Sequence, residues 1–296
     1  MKYGIITGGI YLYKNVTISG FSDEIDNSVL VQFEQLKRMG ISYFDPRGVD
    51  GVNISELSSE QTEELAEKMQ TFGIKAACIG SPIGKIKITD EFEPHMELLK
   101  RTIHIAKRLG TRYIRVFSFF IPKGENPAGY RAEVMSRMKR MAELAESEGV
   151  ILLHENEKEI YGDNAARCED ILKTVASPAL GCVFDPANFV QCGQRVFPDA
   201  YELLAPYITY VHIKDATADG SVVPAGCGIG EVYKVLEELY KKGYEGFLCL
   251  EPHLGSFTGL AELEQGGAML GLEKSSAEKY VLAYEALNNL LERIGE

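Results

Sequence analysis

No run in the 296-residue chain reaches the ~20 consecutive apolar residues that a membrane-spanning helix requires, so a helical membrane protein is not expected. Basic residues are scarce: 31 Lys and Arg stand against 43 Asp and Glu, a net charge of −12. Attraction to nucleic acid or to an anionic membrane is disfavoured by that balance. The six cysteines (78, 168, 182, 192, 227 and 249) contain no CxxC pair, and in a chain of this length they read as reduced core thiols rather than a disulfide frame. No GxGxxG follows the first strand and no Walker motif occurs, which argues against a nucleotide-binding fold. The apolar start "MKYGIITGGIYLY" lacks a cleavage-site pattern and reads as a strand rather than a secretion signal. A cytoplasmic location is therefore expected. No linker or composition shift divides the chain, so one domain over 1–296 is expected.

What is present is a rhythm. An amphipathic helix, a glycine and a short apolar strand recur in "LKRMGISYFD", "MQTFGIKAACIG", "AKRLGTRYIRVF", "AESEGVILLHE" and "YKKGYEGFLCLE". A helix that ends in the left-handed conformation favours glycine just past its last turn. These glycines stand at 40, 73, 110, 149 and 243, so the first intervals are 33, 37 and 39 residues, each the length of a βαβ unit. "LGCVFD" and "ITYVHIKD" supply two more strands, and an early strand near either Tyr3–Thr7 or Thr17–Phe21 completes eight. Helical patterns fall near 28–39, 59–72, 90–109, 128–148, 163–176, 199–205, 229–242 and 274–293. Eight alternating units predict an α/β chain folded as a (β/α)₈ TIM barrel.

In such a barrel the chemistry gathers where the strands end. Strand five ends at Glu155 in "LLHENE", strand six at Asp185 in "CVFDPANF", strand seven at His212 in "YVHIKD" and strand eight at Glu251 in "CLEPHL". Each residue alone has an ordinary explanation, a helix cap or a core histidine. Four in succession at one level predict a site. Three carboxylates and one imidazole suit one divalent cation, Mn²⁺ first, with Mg²⁺, Co²⁺ or Zn²⁺ as alternatives; Zn²⁺ favours sites richer in His and Cys.

With these strand ends, and with "FSDEI", "GISYFDPRGVDG", "IGSPIGK", "YIRVFSFF" and "PAGCGIG", nearly the whole chain resembles the xylose isomerase-like TIM-barrel superfamily. That superfamily holds sugar isomerases and epimerases, inosose dehydratase and endonuclease IV. The resemblance implies a metal-dependent isomerase or epimerase of a small keto sugar, polyol or sugar acid. The endonuclease branch carries extra histidines at strand ends three and four and three residues after the sixth-strand Asp; here those places read "IGSPIG", "RVFSFF" and Asn188. DNA repair is thereby disfavoured. Ketose epimerases also commonly carry His where Asn188 stands, so their sugar specificity does not transfer directly.

Further residues are expected around the pocket. Arg115 is a guanidinium inside an apolar strand, costly unless paired with a carboxylate or an anionic ligand. It is expected, with Lys85, to grip an acidic group of the substrate. By strand alternation Glu157 shares the face of Glu155, Lys214 that of His212 and His253 that of Glu251, so all three are candidate substrate contacts, as is Asn188. His154 should face the helices, and Arg47 in "DPRG" stands evenly between surface and pocket. Glu155 and Glu251, on strands five and eight, are the expected proton-transfer pair of an enediolate mechanism. A lyase using the same enolate and a non-catalytic sugar-binding barrel are the alternatives. The expected partner is a small carbohydrate, with a homo-oligomer open.

Overall fold

The computed structural model describes residues 16–258 and 273–295. Eight short parallel strands make a barrel: β1 (Thr17–Gly20), β2 (Tyr43–Phe44), β3 (Lys75–Ala76 and Cys78–Ile79), β4 (Tyr113–Val116), β5 (Ile151–Glu155), β6 (Leu180–Phe184), β7 (Ile208–Ile213) and β8 (Phe247–Leu250). One seven-stranded sheet runs in the order β1, β8, β7, β6, β5, β4 and the second segment of β3. β2 closes the ring: it pairs in parallel with the first segment of β3, and Asp45 N–H, just past β2, donates to Gly20 O of β1 at 2.9 Å.

The helices α1 (Val29–Arg38), α2 (Ser59–Phe72), α3 (Glu93–Arg108), α4 (Arg131–Glu148), α5 (Ala165–Val175), α6 (Pro186–Gln191), α7 (Tyr201–Leu204), α8 (Val232–Lys241) and α9 (Ala277–Gly295) follow the strands. The glycine reading holds: Gly73 and Gly149 are the left-handed C-caps of α2 and α4, and Gly40, Gly110 and Gly243 share their positive φ. α5 has no glycine at that point, and Ala176 takes the left-handed turn with φ 48°. At its other end α2 is fixed by reciprocal bonds between Ser58 and Gln61.

One expectation is resolved and two need amendment. Of the two places for the early strand the barrel uses Thr17–Gly20, because only that stretch pairs with β8 among the described residues (Thr17↔Phe247 to Gly20↔Leu250); Tyr3–Thr7 lies outside them. The thiols are free, but Cys227 is exposed and Cys192 half-buried, so they are not all core residues. The stretch after Asp185, where no helical pattern is expected, winds into α6, with Pro186 in its first turn and Asp185 capping it through Asn188 N–H.

Packing separates two layers. Leu153, Val183, Tyr210 and Cys249 fill the barrel interior with Phe21 and Cys78, whereas Leu152, Cys182, Val211 and Leu248 pack outward into the main core. Below the mouth, Tyr210 donates to Asp45 Oδ1 at 2.5 Å, with Ser19 Oγ 2.9 Å from the phenol. The loop after β3 is held at Gly84, whose N–H donates to His95 Nε2 at 2.7 Å and whose φ is 91°. A side chain there would also strike Phe117 O, 2.0 Å from the position of a Cβ.

Candidate metal centre and active site

Glu155 closes β5, Asp185 follows β6, His212 lies near the end of β7 and Glu251 follows β8. The parallel register sets these strand ends side by side, and one ligand atom from each residue lies within 4.8 Å of the others. All four side chains are buried. His212 Nδ1 is the focus: Glu155 Oε1 lies 2.9 Å away, Glu251 Oε2 3.1 Å and Asp185 Oδ2 3.9 Å. Phe21 meets the imidazole edge-on at 5.2 Å.

Three buried cations balance the carboxylates. Lys214 Nζ lies 3.0 Å from Asp185 Oδ2 and 3.1 Å from Glu251 Oε2. Arg115 Nη1 lies 3.4 Å from Glu155 Oε2 and 3.6 Å from Glu251 Oε1, with its guanidinium over Phe21 and Phe117. Arg47 reaches Glu251 Oε1 at 3.4 Å, grips Asp23 with two bonds of 2.9 Å, and is sandwiched between Phe21 and Phe257. It is therefore a buried part of the site wall rather than a surface residue.

The electrostatics follow from this crowding. Burial raises the Asp185 carboxyl to about 8, helped by Glu251 and Glu155 and opposed by Lys214. Burial works the same way on Glu251, but Lys214 and His212 outweigh it and hold it well below the ordinary carboxylate range. Glu155 is lowered too, the cations His212 and Arg115 overcoming burial and Glu251. Burial disfavours the His212 imidazolium, yet Glu155 and Glu251 raise it to about 10. His253 is lowered well below 6.5, by burial and then by Lys214.

The donor set fits a divalent cation. Oxygen from three carboxylates and one imidazole nitrogen converge on one point, and Glu155 Oε2 is buried without a hydrogen bond. Arg115 Nη1 stands 3.4 Å from that oxygen, an ion-pair contact that leaves it able to ligate a divalent cation.

The expected substrate contacts lie around this point. Lys85 donates to Glu157 Oε2 at 3.1 Å and lies over Phe117. His253 Nε2 lies 3.5 Å from Glu251 Oε1 and 3.4 Å from Arg47. Asn188 donates to Glu155 Oε1 at 3.3 Å and to Asn156 O at 2.9 Å, while its own Oδ1 is buried and unbonded. His154 is buried against Gly162, and burial lowers its pKa to about 4, which leaves it neutral beside the site. Asp23, Arg47, Asn53, Glu56 and Lys85 border a cavity of about 300 Å³ that shares Arg47 and Lys85 with the site.

Sequence reasoning did not single out Asn156, Asp23 or Glu24. Glu24 Oε2 accepts the His253 N–H at 2.7 Å, and burial raises its carboxyl to about 8 against the pull of Arg47. The one signal for these acids was their place in "FSDEI", directly after β1.

Residues 33–271 match the family model for the xylose isomerase-like TIM barrel. No curated protein matches the chain in sequence. Solved structures match at low identity and over nearly the full length. A D-tagatose 3-epimerase-like protein is 19% identical, with 94% of this chain and 98% of that one covered and a TM-score of 0.71. A xylose isomerase-like TIM-barrel protein from Mycobacterium smegmatis, in complex with magnesium, is 19% identical over 95% and 100% at 0.67. The probable 3-DHS dehydratase AsbF of petrobactin synthesis from Bacillus anthracis is 18% identical over 92% and 98% at 0.68. With the family model matched over most of its length, this chain belongs to the xylose isomerase-like TIM-barrel family.

Proposed function

We propose that the protein is a divalent-metal-dependent isomerase or epimerase of a small keto sugar, polyol or sugar acid. The carrying observation is that Glu155 and Glu251, from β5 and β8, converge on His212 Nδ1 at 2.9 and 3.1 Å. Glu155, Asp185, His212 and Glu251 would hold the metal, with Mn²⁺ the first choice for this oxygen-rich set. A cation bound there supplies Lewis-acid polarisation of a carbonyl and its neighbouring hydroxyl.

The protein's own groups do the rest. One glutamate removes the proton from the carbon beside the carbonyl, leaving an enediolate. The other returns a proton to the opposite face for epimerisation, or to the neighbouring carbon for isomerisation. The glutamate that returns the proton must itself be protonated when the substrate binds, and exchange with solvent restores the pair after the first has taken the substrate's proton. Arg115, within 3.6 Å of both carboxylates, and Lys214, 3.1 Å from Glu251, offset the negative charge that develops as the proton leaves. Lys85, Glu157, Asn188, Lys214, Arg115 and His253 are the proposed substrate contacts. The cavity bordered by Arg47 and Lys85 offers room for the rest of a sugar-sized molecule.

A lyase is the second reading, supported by the likeness to a probable dehydratase and by Lys214 beside Glu251, where its ammonium could protonate a leaving hydroxyl. Keto sugars and sugar acids incubated in D₂O with Mn²⁺ test both readings. Deuterium at the carbon beside the carbonyl, with mass otherwise unchanged, is expected of the isomerase or epimerase. Loss of water or CO₂ would favour the lyase. No exchange with any such substrate would overturn the enediolate reading.

A further inference from the structure

The ladder between β5 and β6 runs Leu152↔Leu180, Leu153↔Gly181, His154↔Cys182 and Glu155↔Val183, and there it stops. One residue on, a side chain takes over. Asn156 Nδ2–H donates to Asp185 O at 2.9 Å, and Asn156 Oδ1 accepts from Asp185 N–H at 3.0 Å. A primary amide carries the same donor and acceptor as a peptide group. Asn156 thus pairs with the peptide groups of Asp185 as a strand residue would, beyond the point where the strands themselves do so. Only one orientation of the amide satisfies both bonds, which fixes its rotamer. The residue is buried, 1% exposed.

A second asparagine completes the bracket. Asn188 Nδ2 donates to Asn156 O and to Glu155 Oε1, and Asn188 N–H donates to Asp185 Oδ1 at 2.9 Å. Two of the four converging residues, Glu155 and Asp185, are therefore tied to one hydrogen-bonded unit centred on Asn156. We infer that Asn156 is a positioning residue for the metal centre: it sets the height and direction of the Asp185 carboxylate against Glu155. This rests on the metal reading above.

The chemistry limits the other roles Asn156 could take. Both atoms of its amide are engaged by the main chain of Asp185, which commits the side chain to that residue. It acts through Asp185. Groups of this kind, which orient a ligand without touching the ion, typically change metal affinity by about 10- to 100-fold when removed.

The experiment compares Asn156→Leu with the wild type by Mn²⁺ titration, reading free Mn²⁺ by electron paramagnetic resonance, and by the visible spectrum of the Co²⁺-loaded protein. Asn156→Ser, which is smaller and cannot bridge both peptide groups, serves if the leucine variant fails to fold. Met138→Ala, in the buried core of α4, controls for destabilisation alone. The expected result is Mn²⁺ affinity lowered by about 10- to 100-fold in the Asn156 variant with an altered Co²⁺ spectrum, and neither change in Met138→Ala. Binding within about threefold of wild type and an unaltered spectrum would overturn the positioning role while leaving the metal reading intact. A wild-type protein that binds neither Mn²⁺ nor Co²⁺ would overturn the metal reading and this inference with it.

Discussion

The Nδ1 atom of His212 stands 2.9 Å from Oε1 of Glu155, although their strands, β7 and β5, are separated by β6. Contact across a skipped strand is possible because both side chains point into the barrel at its mouth rather than out toward the helices. The same geometry brings Glu251 within 3.1 Å of that nitrogen.

Glu155→Gln and Glu251→Gln should each lower turnover by about 10²–10⁴-fold, the usual worth of a positioned acid or base. Glutamine keeps the shape and removes the basic oxygen. One of the two variants should still exchange the substrate proton with solvent, because half of the transfer survives. Near-native turnover in both, with metal bound normally, would refute the pairing.

Metal should stabilise the fold. At a Mn²⁺ concentration about 100 times Kd the gain is about 2.7 kcal/mol, visible as a higher melting temperature than after chelation. Glu155→Ala should lose most of that increment, because it removes one of the four converging groups. An undiminished increment would mean that the metal binds elsewhere.

Arg115→Met strips a buried cation from beside Glu155 and Glu251. Without metal the variant should lose about 3–5 kcal/mol, the usual cost of breaking a buried ion pair from one side. Mn²⁺ replaces the missing positive charge, so it should raise the melting temperature of this variant more than that of the wild type. Equal increments would show that Arg115 does not share those carboxylates with the metal.

Acid sensitivity should trace in part to His95. Burial, with a smaller push from Arg137, lowers its pKa from 6.5 to about 4, and its neutral Nε2 accepts from Gly84 N–H. Between those two values the unfolded chain binds the extra proton. Stability should therefore be full above pH ~6.5 and decline as the pH falls toward 4, by at most about 3 kcal/mol from this group. Urea unfolding of His95→Gln should show a shallower decline over that window, and a parallel decline would exclude His95 as the source.

Ala176→Gly should raise stability by about 0.5 kcal/mol. The alanine is exposed and ends α5 at φ 48°, a conformation that glycine adopts without the Cβ penalty. A lower melting temperature would mean that the turn gains more from the alanine than it loses.

The helix-to-strand glycines were legible because the left-handed turn is a local demand, met within five or six residues. The quartet was legible for a related reason: each member sits where an apolar strand ends, and the fold aligns those ends. What joins the members was not. Arg47 reaches Glu251 across 204 positions of sequence and Asp23 across 24, and no local pattern encodes either distance. Asn156 stood inside the most conspicuous motif of the chain, but its partner groups are the main-chain atoms of Asp185, which any residue would offer. The helix at Pro186–Gln191 did have a local signal, Asp followed by Pro, which was read for its carboxylate alone.

β2 contributes two residues to the ring, and its link to β1 runs through the Asp45 N–H. Mechanically the barrel is thus a seven-stranded band with a short clasp, and local opening should begin at the clasp. Amide protons of Tyr43, Phe44 and Asp45 would then exchange with solvent sooner than those of β5 to β7, at the opposite wall. Arg47, two residues beyond the clasp, is stacked between Phe21 from the loop after β1 and Phe257 from the loop after β8. A fluctuation that parts β1 from β2 would pull on that guanidinium and, through it, on Glu251. Breathing at the weakest seam of the fold would thus be felt first at one carboxylate of the quartet, while Asp185, bracketed by its two asparagines, would stay in place.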